Sequence, residues 1–326
     1  MRGRLALMGT ALIILLILLG SVPSATQARV TIAATVGPGF FAFDLMNGFA
    51  PMISRSLPNV TAVAERSPLF LDTMQRIAAG RADLGIVGSV IVVDAFLGEE
   101  VFRGSRVPVR TLALLHDFVY HLVTLEETGI GAIGDLRGKR VGIDAPGTLR
   151  DALRWLRAAG IDPDQDVRME TFPLTTPGAW AVALREKKID AVFAVTLGSP
   201  TVPDVFDLTM TSGIRVRLIP LDAILPAVQR EFGSRYHAFM IKRGLYPGMT
   251  SDVPTISASA ELVALEAFDA NLAYQITKLF YEKRSELAQF SYAAQYISLI
   301  GLAGRSPVPF HPGAVRYFQE RGVAGF

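Results

Sequence analysis

The sequence predicts an α/β protein of two lobes, each a mainly parallel sheet flanked by helices. Three observations predict it. Short β-rich runs alternate with helical segments along most of the chain, the pattern that lays helices on the faces of a parallel sheet. The length, 326 residues with 50% hydrophobic content, is ample for a buried core and for roughly two domains. No proline-rich linker separates the two sets of elements, which suits lobes joined by crossing strands rather than beads on a string.

The chain opens differently. Arg2 and Arg4 precede an uncharged run over 5–20, followed by small and polar residues to Ala28. This is the charged, apolar and small-residue order of a secretory signal. Cleavage after Ala28 leaves 326 − 28 = 298 residues. The alternative is an uncleaved anchor helix, because the apolar run is long. The most apolar later run, over 84–97, is too short to span a bilayer and contains Asp94.

The first set of elements begins with a strand over 30–36 and a helix over 40–56 that ends before Leu57-Pro58. A strand over 60–64, a helix over 71–79 closed by Gly80, a strand over 82–87 and a helix over 91–97 follow. The second set begins with a long β-rich run over 112–125. After a turn and short helix over 129–136 come a strand over 139–143, a helix over 149–159, a strand over 166–171, a helix over 178–186 and a strand over 190–195. Another strand covers 216–220. Helices dominate thereafter, with one strand over 256–260, and the charged stretch 281–286 reads as a solvated helix face.

Composition narrows the chemistry. A net charge of +2 gives no footprint for nucleic acid. The absence of cysteine removes disulfides, thiolate metal sites and a Cys nucleophile. Four histidines are present, and His116 and His121 fall on opposite faces of a regular strand, against joint metal binding. No G-x-S-x-G elbow occurs. No catalytic residue, metal or cofactor is therefore assigned.

The chemistry-bearing features are three strand-to-helix turns. The first, Gly37-x-Gly39-x-x-Ala42, matches a dinucleotide fingerprint, with Glu65 where a ribose-binding carboxylate would stand. The export signal and Pro38, which removes one N–H, speak against that reading. Such a turn also suits any anion, including a carboxylate, because free N–H groups and a positive dipole end gather at a helix N-terminus. It also reads as nothing more than a tight turn. The second is Ala145-Pro146-Gly147-Thr148, with Thr148 as N-cap and Arg150 in the first helical turn. The third is Leu197-Gly198-Ser199-Pro200. Three such turns on two lobes point to one ligand in the cleft between them.

Several segments then resemble a known family. Residues 79–98 (AGRADLGIVGSVIVVDAFLG), 122–148 (LVTLEETGIGAIGDLRGKRVGIDAPGT), 214–222 (IRVRLIPLD), 252–256 (DVPTI) and 307–322 (PVPFHPGAVRYFQERG) are similar to TAXI-type solute-binding proteins. Those are receptors of the tripartite ATP-independent periplasmic (TRAP) transporters. The resemblance implies a two-lobed, type II-like periplasmic binding protein with lobe 1 over 29–124 plus 218–326 and lobe 2 over 125–217. It implies a periplasmic receptor, not an enzyme, that delivers a small carboxylate-bearing solute to a TRAP permease driven by an ion gradient. One chain closing on one ligand needs no second copy, so a monomer is expected.

The departures from the family pattern bear on the ligand. Where the family often has two tyrosines, this chain has Phe40 and Phe41. The usual polar turn after the second strand reads Ser67, Pro68, Leu69, Phe70. A Gln and an Asp before the D-A-x-x-G are replaced by Gly88 and Val90. The A-P-G-S-G-T turn becomes Ala145, Pro146, Gly147, Thr148, Leu149, Arg150. Each buried polar group left unpaired costs about 1–3 kcal/mol, so a site with fewer hydroxyls and amides suits an acid more apolar than glutamate. Arg150 or Arg66 is the expected carboxylate partner, the alternative for each being an exposed surface charge. With Gly37, Gly39, Glu65, Leu197, Gly198 and Ser199 these residues form the expected ligand site. Two other function classes stay open: a binding module without a transporter, and an exported enzyme on the same fold.

Overall fold

The computed structural model describes residues 27–173, 175–300 and 305–326. The expected signal falls almost wholly in residues 1–26, outside the described residues. Ala28, the expected last residue of the signal, already opens the first strand, its N–H donating to the Asn59 carbonyl at 2.7 Å.

The elements follow in the order β1 (Ala28–Thr35), α1 (Phe41–Ser56), β2 (Val60–Ser67), α2 (Phe70–Ala78), β3 (Leu84–Gly88), α3 (Ser89–Leu97), β4 (Val109–Leu125), β5 (Arg140–Ile143), α4 (Pro146–Ala158), β6 (Arg168–Thr171), α5 (Ala179–Arg185) and β7 (Ala191–Val195). Then come α6 (Pro203–Met210), β8 (Val216–Ile219), α7 (Leu225–Phe232), β9 (His237–Ile241), β10 (Val253–Leu265), α8 (Ala270–Glu282), α9 (Arg284–Leu287) and α10 (Pro312–Glu320).

The strands run β2-β1-β3-β10-β4-β7-β5-β6 across a mixed sheet, with β8 on β4 and β9 on β10. At each end lies a parallel triplet, β2-β1-β3 and β7-β5-β6. Between them two long strands pair antiparallel. The expected α/β class holds, and its parallel parts are these triplets. The N-terminal part of β4 pairs with the C-terminal part of β10, and the C-terminal part of β4 pairs with β7 and β8. Both long strands therefore pass from one half of the molecule to the other.

Each half has its own buried apolar cores. The first half is filled by Ile32, Leu45, Phe49, Leu84, Leu262 and Phe280 on one sheet face and by Met74, Ile77, Val92 and Val263 on the other. The second is filled by Leu122, Ile143, Trp155 and Phe193 on one face and by Val123, Trp180, Leu184 and Val205 on the other. Sealing such side chains from water, at about 25 cal/mol per Å2, is what holds each half together.

Three expectations differ from what is found. The return to the first half does not occur at Leu218: Ile219, Leu225, Val228, Tyr236, Ile256 and Ala258 pack in the second half, and the chain rejoins the first with Ala260. The cause is β8, which pairs with the far end of β4 and carries the following segment with it. The strand at 256–260 is really the thirteen-residue β10, and β9 was not expected. Tyr281, expected on a solvated face, is 1% exposed, and its hydroxyl accepts from the Leu114 N–H at 3.2 Å. Arg284 and Glu286 on the same stretch are exposed or half-buried.

Candidate functional site between the two halves

The two halves meet along a seam. The clearest contact joins the turn after β7 to the start of α1. Gly198 has φ +77°, and a Cβ placed there would lie 2.6 Å from the Phe41 Cβ. Leu197 packs against the first core. Only a glycine allows this approach, both for its backbone conformation and for want of a side chain.

The first half presents an aromatic wall. Phe41 lies 4.9 Å from Phe40, 6.2 Å from Phe70 and 5.9 Å from Phe118, ring centre to ring centre. His116 meets Phe41 edge-on at 4.7 Å and Phe118 at 5.2 Å. Burial drives its ring pKa down to about 4, so it is neutral. Gly88 sits under the Phe118 ring. Leu69 is 53% exposed beside this cluster, at the start of α2. His116 and Phe118 lie two apart on β4, hence on one face. The sequence singled out His116 only in setting aside a metal pair with His121, and did not single out Phe118.

Two of the glycine turn's donors are taken by the chain itself. The Gly39 N–H donates to the chain's own Asp44 carboxylate, 3.1 Å to Oδ2, and the Phe40 N–H donates to the Gly37 carbonyl at 3.0 Å. A carboxylate already stands where a phosphate would, so the dinucleotide reading fails on charge. Val36, just before the turn, has φ +73°, unusual for a β-branched residue and worth about 1–3 kcal/mol of local strain. It is held there by its N–H to the Ser67 carbonyl at 2.7 Å and by Arg66 Nε, which donates to the Val36 carbonyl at 2.5 Å. Arg66 thus serves the turn. Glu65 pairs with Arg76 at 2.5 Å and with Arg29 at 3.7 Å, not with Arg66. Ser67 is buried and its hydroxyl finds no partner among the described residues.

The second half presents a polar wall. Thr148 is 3% exposed and is not the N-cap; its hydroxyl donates to Asp144 Oδ1 at 2.6 Å. Asp144 Oδ2 accepts from the Val195 N–H at 2.8 Å. One carboxylate so ties the turn before α4 to the end of β7. Burial pushes the Asp144 carboxyl up to about 7, against the pull of Thr148 and the backbone donors. Pro146 and Gly147 are exposed, Leu149 leans on the second core, and the Ser199 hydroxyl lies 3.4 Å from that of Thr201.

Arg150 crosses the seam. Its Nη1 donates to Asp94 Oδ2 of α3 at 2.8 Å, while Arg235 Nε donates to Asp94 Oδ1 at 3.0 Å. Arg235 also pairs with Glu99, and Arg154 donates to Glu100 at 3.0 Å. Three acids at and beyond α3 therefore meet three arginines of the second half. Behind them, the buried Asp151 accepts from Tyr120 at 2.6 Å and Tyr236 at 2.5 Å. Val90, one turn before Asp94, packs in the second core. Nothing in the sequence linked Asp94 to Arg235, which are 141 positions apart. Among the described residues no group of three or more His, Asp or Glu side chains is placed to hold a metal, and no helix is long and apolar enough to cross a membrane.

The periplasmic aliphatic sulphonate binding protein SsuA from Escherichia coli superposes with a TM-score of 0.47 at 13% identity, over 89% of this chain and 78% of that one. A putative L-cystine ABC transporter protein from Listeria monocytogenes gives 0.44 at 13% identity, over 83% and 98%. The family model described as NMT1-like matches residues 33–322, nearly the whole of the described chain, and the protein belongs to the NMT1-like family.

Proposed function

We propose that the protein is an extracytoplasmic solute-binding receptor that closes its two halves on a small acid with an apolar body. The observation that carries this reading is contact between two separately packed halves: the turn at Gly198 against Phe41 at the start of α1, and Arg150 of α4 against Asp94 of α3. Two long strands, β4 and β10, are the natural hinge for such closure.

The aromatic wall favours an apolar ligand body. Arg150 spends one N–H on Asp94, which fixes the guanidinium and leaves its other donors for a carboxylate or a similar anion. Arg66 spends its Nε–H on the Val36 carbonyl and braces that turn, so Arg150, at the seam, is the favoured partner of the two. The expected site residues at the seam, from Phe40 and Phe41 through Thr148 and Arg150 to Gly198, are the proposed ligand contacts. The sequence resemblance to TAXI-type receptors supports delivery to a TRAP permease. The loss of polar residues at Pro68–Phe70 also suits a binding module without a transporter, as a second reading.

Thermal unfolding of the purified chain against amino acids, dicarboxylates and branched or aromatic monoacids tests the proposal. A ligand at about 100 times its dissociation constant adds about 2.7 kcal/mol, a visible rise in midpoint. The proposal expects that rise with an aromatic or branched monoacid. No rise with any acid in the panel overturns the receptor reading.

A further inference from the structure

We infer that the open edge of β8 is a docking site for an extended segment of a partner protein in which apolar and acidic residues alternate. This surface lies on the second half, away from the seam, and does not depend on the identity of the solute.

The backbone supplies the first observation. Among the described strands β8 pairs with β4 and with nothing on its other side. The Glu126 N–H donates to the Arg215 carbonyl at 2.8 Å. By the alternation of an antiparallel ladder, Arg215, Arg217 and Ile219 turn their backbone groups toward β4, and Val216 and Leu218 turn theirs outward. Among the described residues the outward N–H and C=O groups of Val216 and Leu218 have no partner. Such a row is a template for an added strand.

The second observation is room. A groove of about 560 Å3 runs along this edge, lined by Ile214, Val216, Leu218, Tyr246, Met249 and Val253 among others. A smaller one of about 350 Å3 continues it past Ile214 and Arg215 to Glu127. Native edges are usually covered or blunted; this one faces a groove instead. On α6, Val205 and Thr209 line the groove, and the adjacent Phe206 and Met210 are 40% and 66% exposed.

Side-chain alternation names the occupant. Val216 and Leu218 point to one face of β8 and pack with the apolar core there. Arg215 and Arg217 point to the other face and are exposed. Glu126 approaches Arg215 only to 3.7 Å, and Arg217 makes no ion pair among the described residues. An incoming strand in register sets its own alternate residues beside these two rows. Apolar groups then meet Val216, Leu218 and Met249, and carboxylates meet Arg215 and Arg217.

The test uses the full chain and two blocked hexapeptides, one alternating Val with Glu and one alternating Val with Lys, followed by calorimetry and by amide NMR. The Glu peptide is expected to bind, to move the amide signals of residues 214–219, and to bind at least about tenfold more tightly than the Lys peptide at low salt. Val216→Pro removes an outward donor and no bond to β4, so binding falls while the unfolding midpoint holds. If that variant does not fold, Arg217→Glu serves, and it should reverse the preference between the peptides. The inference is overturned if the Glu peptide fails to bind at millimolar concentration, if residues 214–219 do not respond, or if the two peptides bind alike.

Discussion

The two sides of the seam are built from opposite materials. The first half brings Phe40, Phe41, Phe70 and Phe118, packed ring on ring. The second brings Asp144, Thr148, Arg150, Arg154 and Arg235, joined by hydrogen bonds and ion pairs. Rings gain by excluding water whatever their partner, and tolerate exchange of one contact for another. Buried charges tolerate nothing of the kind, because each must keep its own counterpart. In the proposed receptor the first wall would accept a range of apolar shapes, while the second would fix where an anionic group sits.

The comparison breaks most sharply at Asp94. It is 1% exposed and is shared by Arg150 and Arg235, the latter only 4% exposed along its side chain. Asp94→Ala strands the Arg235 charge with Glu99 alone and should cost about 3–5 kcal/mol in urea unfolding. A loss under about 1 kcal/mol would mean that the pair is solvated and worth no more than a surface bridge. Next comes the contact between the walls. Gly198→Ala combines a positive φ with a clash on Phe41 and should destabilise the joined arrangement by about 1–3 kcal/mol. Small-angle scattering should then report a larger radius than for the parent chain.

Asp144 sharpens the polar side through pH. Its carboxyl has an ordinary value of 3.8 and is raised to about 7 in the fold. The folded state thus binds the proton more tightly than the unfolded one. The resulting stability is complete below about pH 4 and is lost as the pH rises through 7. The wild-type midpoint should therefore fall, relative to Asp144→Asn, between pH 5 and pH 8. A constant difference between the two would show that Asp144 is ionised throughout. The smallest effect belongs to the turn before the aromatic wall. Val36→Gly relieves a left-handed backbone at +73° but frees the unfolded chain, so the two terms nearly cancel and the change should stay within about 1 kcal/mol.

These particulars also show what a sequence carries and what it withholds. The β-rich runs placed every strand of the two parallel triplets, and β3 and β7, buried along nearly their whole length, read the same from sequence as in the fold. The same reading shortened β10, because Ser257, Ser259 and Glu261 alternate as though facing water. In the fold all three are buried, and Glu261 is satisfied by Thr111 at 2.6 Å and Ser259 at 2.8 Å. The turns that meet at the seam were legible from their glycines and prolines. Their partners were not. Arg150 was visible as a cation at a helix start, but its acid, Asp94, comes from another helix of the other half. Arg66 stands beside a turn that it holds in shape, and no spacing rule distinguishes a brace from a ligand partner.

The central claim is that the aromatic wall and Arg150 act on one ligand. Calorimetric titration of 3-phenylpropionate and of glutamate into the chain tests it most directly, each repeated with Arg150→Ala. The aromatic monoacid is expected to bind the more tightly, and loss of Arg150 to weaken it by about 1.5–3 kcal/mol, the worth of a hydrogen bond to a charged group. Tighter binding of glutamate, or a monoacid affinity indifferent to Arg150, would contradict it.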